Sequence, residues 1–83
     1  MKVLYFAWLR QKTGVGEETV SPPDTVKDVA GLVEWLRAQG PGHADALQDL
    51  SSIRVAVNQE FATLSTAVSK GDEVALFPPM TGG

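Results

Sequence analysis

The residues most able to do chemistry stand at the end of the sequence, where Gly82 and Gly83 close the chain. Glycine has no Cβ, so a Gly-Gly tip can enter a channel that any side chain would block. The α-carboxyl of Gly83 is then the reactive group. With an unperturbed pKa of about 3.3–3.7 it is ionised at neutral pH and is a poor acyl donor. We therefore expect acyl chemistry at Gly83 to need prior activation, for example as a mixed anhydride with a nucleotide phosphate.

The segment before the two glycines has the composition of a spacer that extends from the domain. Pro78 and Pro79 lack a backbone N–H and fix φ near −65°, so they end strand pairing and form a semi-rigid spacer. Met80 and Thr81 carry the last side chains. Residues 78–83 reach at most about 20 Å when extended. We expect a flexible, extended tail that enters the buried site of another protein.

Other residues that could do chemistry give weaker signals. The single histidine, His43, stands between small residues in a predicted loop, where an exposed histidine is usually incidental. Glu17 and Glu18 are interpreted as a solvated turn edge. Gly14 and Gly16 lack the lysine and the strand-to-helix context of a phosphate loop. Because the chain has no cysteine, it offers no thiolate nucleophile and no disulfide. We expect no metal site and no bound cofactor.

Composition limits the class of protein. The 83 residues, 43% of them hydrophobic, suffice for one small core but leave no room for a deep catalytic pocket, which favours a carrier or a subunit. The net charge of −3 and the scattered basic residues argue against a nucleic acid partner. No apolar stretch approaches the ~20 residues of a membrane span, and the N-terminus does not resemble a signal peptide. With no cysteine, the protein is expected in the cytoplasm.

The first elements are predicted to be two strands. Residues 2–9 are apolar on both alternations, which is typical of a central strand with both faces covered. Gly14 and Gly16 mark a turn, and residues 17–20 return as a second strand. We expect the first strand to be central and the last strand of the chain to be its neighbour.

One main helix follows. Thr25 is predicted as its N-cap, with Asp28 in the first turn, and the helix runs to about Gln39 because Pro41 forbids continuation. A short second helix is predicted over residues 44–50. The apolar stripe of the main helix has the 3- and 4-residue spacing of a core-facing surface. It consists of Val26, Val29, Ala30, Leu32, Val33 and Leu36.

The remaining chain alternates between strands and turns. Along residues 53–57, large apolar side chains alternate with other types, a pattern typical of a half-buried strand. Turns at 58–60 and 70–72 precede strands at 61–64 and 73–77. A hairpin, a helix and further strands predict an α+β domain, a β-grasp with a mixed sheet and one main helix packed on one face. The predicted domain is 1–77, and 78–83 form the tail.

Several motifs together resemble a known family. Residues 5–10 (YFAWLR), followed by Gly14, resemble the Phe-Ala-x-x-Arg…Gly opening of the small subunit of molybdopterin synthase, a ubiquitin-like sulfur carrier. Residues 24–29 are similar to that family's entry to its first helix. Residues 57–59 are similar to its Val-Asn turn. The most specific match is the C-terminal block, 71–79 with the closing glycines. Two departures are Gln11, where the family commonly has an acidic residue, and the bulky Met80.

The resemblance implies a function for the tail. A ubiquitin-activating-like adenylyltransferase would use ATP to adenylate Gly83, and a sulfur donor protein would convert the acyl-adenylate to a thiocarboxylate. The tail, through Gly82, would enter the large subunit of the synthase, in a heterotetramer, and deliver sulfur to cyclic pyranopterin monophosphate. The catalytic residues are then expected on the large subunit, and this chain is a non-catalytic sulfur donor.

The aromatic residues predict where that partner docks. One interpretation places Phe6, Phe61 and Phe77 in the core, which is the usual position of phenylalanine. They stand near sheet ends or turns, however, and the chain has enough other apolar side chains to fill a small core. Aromatic side chains around a reactive tail make good binding hot spots. We therefore expect the large subunit to contact Phe6, Phe61 and Phe77, with Arg10 adding a polar contact.

Three alternatives stay open at this point. A ubiquitin-like modifier that forms isopeptide bonds would have the same terminus. A carrier for another sulfur pathway, such as synthesis of the thiamine thiazole, would use the same chemistry, although such carriers are typically shorter and lack the Phe-Ala-x-x-Arg opening. An adaptor domain with a non-reactive tail would need no chemistry at its C-terminus.

Overall fold

A computed structural model describes residues 1–79, which form one five-stranded mixed sheet with helices packed on one of its faces. The strands lie in the order β2-β1-β5-β3-β4. The two strands β1 and β5 are parallel, and the other neighbours are antiparallel. In chain order the elements are β1 (Lys2–Tyr5), α1 (Trp8–Thr13), β2 (Glu17–Thr19), α2 (Val29–Arg37), α3 (Pro41–Ala46), β3 (Arg54–Val57), β4 (Glu60–Ala62) and β5 (Glu73–Phe77). A single 3-10 turn, Leu50–Ser52, precedes β3.

This topology confirms the α+β class and the β-grasp arrangement predicted from the sequence. The strand β1 is paired on both sides, and β5 is its parallel neighbour, with Tyr5 opposite Leu76. The middle strand of the sheet is β5, so the chain leaves the sheet from its centre. Within residues 1–79, no helix has the length and apolar character needed to cross a membrane.

The core lies between the sheet and α2. One face of the sheet contributes Val3, Tyr5, Val74 and Leu76, all of them almost inaccessible to solvent. The stripe predicted for the main helix supplies most of the opposing surface. Its fully or nearly fully buried members are Val29, Leu32, Val33 and Leu36.

The prediction for the first strand is wrong beyond Tyr5. The strand ends there, and Trp8–Thr13 form the helix α1. The reversal occurs at Ala7, which has φ 55° and ψ −132°, and the N–H of Leu9 donates to the carbonyl of Phe6 at 3.2 Å. Leu9 is fully buried, as its apolar character suggested, but it reaches the core from a helix.

The start of the main helix also differs from the prediction. Its N-cap is Asp28 rather than Thr25, because Asp28 Oδ1 accepts a hydrogen bond of 2.8 Å from the N–H of Gly31. A Cβ on Gly31 would lie 3.2 Å from that oxygen, so glycine leaves room for the cap. The helix ends at Arg37, two residues before the predicted Gln39.

The second helix begins and ends earlier than predicted. It spans Pro41–Ala46 instead of residues 44–50, because Pro41, which cannot continue α2, is well suited to the first turn of a new helix. Leu47, just beyond α3, is fully buried, and Leu50 packs against the core from the 3-10 turn.

The turns after β3 lie close to their predicted positions, but Glu60 is already the first residue of β4, which ends at Ala62 rather than at residue 64. Asn58 and Gln59 have φ of 52° and 70°, the two positive values of a tight hairpin turn between β3 and β4. The Asn58 side chain donates to Asp72 at 3.1 Å and accepts from the N–H of Glu73 at 3.0 Å. It thereby joins this turn to the turn at Gly71, where φ is 89°.

Candidate functional site

The strand β5 carries the chain to the root of the predicted tail. It ends at Phe77, and Pro78 and Pro79 continue outside regular structure with partly buried side chains. The other residues predicted for the tail, Met80, Thr81, Gly82 and Gly83, lie outside the described residues, and so does the carboxylate expected to react. The site that can be described is therefore the surface from which the tail departs.

Pairing on both sides of β5 stops at this point. On one side the N–H of Phe6 donates to the carbonyl of Leu76 at 3.1 Å, and the chain then turns away at Ala7. On the other side Phe77 stands opposite Arg54, the first residue of β3. Pro78 and Pro79 have no N–H with which to extend either ladder. Local sequence therefore ends the sheet where the tail begins.

The sheet face opposite the core is apolar near this root. Alternation along β5 turns Val74 and Leu76 towards the helices, which leaves Ala75 and Phe77 on the other face. Across the sheet the register continues this row. Leu4 is paired with Ala75, Ala75 with Ala56, and Ala56 with Phe61. We call the surface formed by Leu4, Ala56, Phe61, Ala75 and Phe77 the open face.

Two of the predicted partner-binding aromatics meet on the open face. The ring centroids of Phe61 and Phe77 are 6.1 Å apart, with an interplanar angle of 53°. Phe61 is 86% exposed, and Phe6, beside the end of β5 through its bond to Leu76, is 49% exposed. Phe77 is half-buried. Large exposed apolar side chains gathered in one place are typical of interaction surfaces.

Arg10 reaches the same region from α1. Its guanidinium passes so close to Gly16 that a Cβ there would lie 3.2 Å from Arg10 Nε. Together with Leu4, Phe6 and Glu17, Arg10 lines a shallow hollow of about 540 Å³. Within residues 1–79 Arg10 forms no ion pair, so its charge is available to a partner.

A polar cluster on the helical side was missed by the sequence analysis. Glu18 is not a solvated turn residue, and His43 is not an exposed loop residue. One oxygen of Glu18 accepts a hydrogen bond of 2.6 Å from the Tyr5 hydroxyl and lies 2.7 Å from His43 Nε2. The His43 and Tyr5 rings meet edge to face at 5.7 Å. No local signal reveals the cluster, because Glu18 is 13 residues from Tyr5 and 25 from His43.

This cluster is structural rather than reactive. Burial and the neighbouring Glu18 carboxylate raise the pKa of Tyr5, so the phenol stays protonated. Partial burial by itself would raise the pKa of Glu18, but the hydrogen bonds from Tyr5 and His43 outweigh it and the pKa is lowered. Within residues 1–79, no group of three or more His, Cys, Asp or Glu side chains is placed to hold a metal ion.

Comparisons with known proteins agree with this geometry. The model of the ThiS family matches residues 3–83. The molybdopterin synthase sulfur carrier subunit of Haemophilus influenzae is 37% identical over 83 residues, covering 100% of this chain and 99% of the relative. The human protein of the same name is 37% identical over 86 residues, covering 100% and 93%. The crystal structure of SAMP1 from Haloferax volcanii superimposes with a TM-score of 0.79 at 32% identity, covering 100% of this chain and 98% of that one.

Proposed function

The chain belongs to the ThiS family, and we propose that it is the sulfur carrier subunit of a molybdopterin synthase. In this function the α-carboxyl of Gly83 is adenylated, converted to a thiocarboxylate and used to deliver sulfur to cyclic pyranopterin monophosphate. The proposed activity is the one given in the names of the two relatives, which are similar to this chain over its whole length.

The observation that carries the proposal is the exit of β5. The middle strand of the sheet runs straight into Pro78 and Pro79, and the family match continues from there to the final glycine. The sheet is rigid at this point, and two prolines, which restrict the backbone, separate it from the last four residues of the sequence. Such a domain presents its terminus to other proteins rather than enclosing a reaction itself.

The chemistry needs two activating steps that this chain does not perform. The Gly83 carboxylate attacks the α-phosphate of ATP, and pyrophosphate leaves. A hydrosulfide equivalent from a sulfur donor protein then attacks the acyl carbon, and AMP leaves. A ubiquitin-activating-like adenylyltransferase binds the ATP, so this chain needs no bound cofactor. Because the sequence has no cysteine, the thiocarboxylate has no thiol within its own chain to react with.

The open face supports docking of the large synthase subunit. Phe61 and Phe77 supply an aromatic centre, and Phe6 and Arg10 extend it beside the first strand. With the face held against the large subunit, the tail enters the catalytic pocket of that subunit. We propose that the catalytic residues lie in that pocket and that the large and small subunits assemble as a heterotetramer. Dependence on ATP and the absence of cysteine fit a cytoplasmic location.

An intact-mass experiment tests the proposal. The protein is produced with its activating enzyme and sulfur donor, and its mass is compared with that of the chain produced alone. We expect a mass gain equal to the exchange of one oxygen for sulfur, and no gain for a variant without Gly83, whose melting temperature should match the parent. Retained molybdopterin synthesis by the variant without Gly83 would overturn the proposal.

The likeness to SAMP1 favours a second candidate, a protein modifier, because a second crystal structure of the Haloferax volcanii protein names it small archaeal modifier protein 1. A modifier would leave Gly-Gly remnants on lysines of other proteins after proteolysis, which mass spectrometry of cell extracts detects. A thiamine carrier would instead make a deletion strain require thiamine. If the chain is a synthase subunit, we expect neither outcome, and the deletion strain should lose molybdoenzyme activity.

A further inference from the structure

A second cation stands at the root of the tail on the side away from Arg10. Arg54 opens β3 and is paired in register with Phe77, the last residue of β5. Because β3 is antiparallel to β5 and β1 is parallel to it, the start of β3 and the end of β1 lie at the same end of the sheet. Arg54 and Arg10 therefore flank β5 from opposite sides where the chain leaves the sheet.

Most donors of Arg54 are unused within residues 1–79. One nitrogen, Nη1, donates to the carbonyls of Ile53 at 3.1 Å and Ser51 at 3.3 Å. These bonds hold the exposed side chain at the start of the strand and leave Nε and Nη2 without a protein partner in the described part of the chain. A guanidinium carries five donors in a planar fork that fits a carboxylate.

No acidic side chain among the described residues forms an ion pair with Arg54 or Arg10. Asp49, shortly before β3, accepts hydrogen bonds from the backbone and hydroxyl of Ser51 and from the hydroxyl of Ser52. Glu17, which lines the hollow beside Arg10, is paired with Lys2 at 3.3 Å. Glu73 begins β5 and so lies at the end of the sheet opposite the tail. Although the chain carries a net charge of −3, its tail end therefore presents two arginines without ion pairs among the described residues.

We infer that Arg54 binds a carboxylate of the large synthase subunit, on the side of β5 opposite the contact proposed for Arg10. This inference rests on the proposed function. The aromatic pair Phe61 and Phe77 forms the solvent-excluded centre of the contact, and the two arginines lie at its charged rim. Complementary charge at a rim speeds association and sets the orientation of docking. A cation on each side of β5 fixes the rotation of the domain and aims the tail at the catalytic pocket of the large subunit.

Binding of the full chain to the purified large subunit tests the inference at low and high salt. The variants are Arg54→Gln, Arg54→Glu and Arg54→Lys. The matched control is Lys27→Gln, which removes the same charge from an exposed residue beside Met1 and Val20, at the end of the sheet opposite the tail. Melting temperatures establish that each variant is folded.

We expect Arg54→Gln to weaken binding on the order of tenfold at low salt, and Arg54→Glu to weaken it further. Arg54→Lys should fall between the parent and Arg54→Gln, because it keeps the charge and loses the fork. The effect should shrink at high salt, and Lys27→Gln should bind as the parent does. If the parent binds but all three Arg54 variants match Lys27→Gln, the inference is wrong and the proposed function stands. If the parent itself does not bind, the proposed function fails and takes this inference with it.

Discussion

The Tyr5 hydroxyl donates a hydrogen bond of 2.6 Å to Glu18, and the same carboxylate oxygen lies 2.7 Å from His43 Nε2. One acidic side chain thereby joins β1, β2 and α3 on the helical side of the sheet. Partial burial opposes ionisation of Glu18, yet the two hydrogen bonds favour the carboxylate more strongly and lower its pKa. The ionised form is therefore part of the folded structure.

This arrangement predicts a specific acid sensitivity. The pKa of Glu18 in the folded state lies below its unfolded value near 4.5, so the unfolded chain binds more protons in acid. The contribution of Glu18 to stability is present above pH 4.5 and is lost as the pH falls through the folded pKa. We expect the free energy of unfolding, measured by urea titration between pH 7 and 3, to fall less steeply in acid for Glu18→Gln than for the parent.

Glu17→Gln is the matched control for this prediction. Glu17 is a neighbour in sequence whose partner, Lys2, is half-exposed, and an exposed ion pair contributes little. Its acid profile should follow the parent. Parallel profiles for Glu18→Gln and the parent would show that the carboxylate is not preferentially ionised in the folded state.

A second prediction concerns the contact between α1 and α3. Gly42, in the first turn of α3, lies against the carbonyl oxygen of Lys12, and a Cβ there would overlap that oxygen. Helix propensity alone would favour alanine over glycine by up to about 1 kcal/mol. Because the clashing atom belongs to the backbone of α1 and cannot rotate away, we expect the clash to outweigh the gain in helix propensity. We expect Gly42→Ala to lower the free energy of unfolding by about 1–3 kcal/mol.

Gly40→Ala separates this clash from general effects of losing a glycine. Gly40 has an extended backbone with φ 169°, and a Cβ there would meet no atom within 4 Å. Its chemical denaturation curve should lie close to that of the parent. A Gly42→Ala variant as stable as Gly40→Ala would mean that α1 and α3 can move apart at no cost.

The parts of the fold that sequence predicted are those whose signals are local. Asn58 and Gly71 occupy turns that require a positive φ, and their residue types favour it. The apolar stripe of α2 follows from spacing alone. The exposed position of Phe61 follows from its place after a turn and from a core that is filled without it.

The parts that sequence missed depend on tertiary contacts or on an atypical residue. The reversal at Ala7 adopts a positive φ without glycine or asparagine, so the apolar run gave no sign that β1 ends and α1 begins. Asp28 rather than Thr25 caps α2, although both residue types make good caps. In the sequence, Arg54 is only one of the residues that alternate with apolar side chains in the strand predicted over residues 53–57. Its importance comes from its register with Phe77, which the sequence does not contain.

The final prediction concerns the aromatic centre of the open face. Phe61 is 86% exposed and contributes almost nothing to the core, yet its ring lies 6.1 Å from that of Phe77. Exposed aromatic anchors of this kind are each worth upwards of about 2 kcal/mol in binding. We expect Phe61→Ala and Phe77→Ala each to weaken binding to the large synthase subunit by more than about tenfold in titration calorimetry.

Leu64→Ala is the control for this prediction. Leu64 is 45% exposed, but its carbonyl accepts from the N–H of Ala30 in α2, which places the residue beside the helical layer rather than on the open face. Its removal should leave the affinity unchanged. Phe61→Ala should melt at the parent's temperature, so a loss of binding by that variant cannot be attributed to unfolding. Unchanged affinity of folded Phe61→Ala and Phe77→Ala would show that the large subunit docks on a different surface.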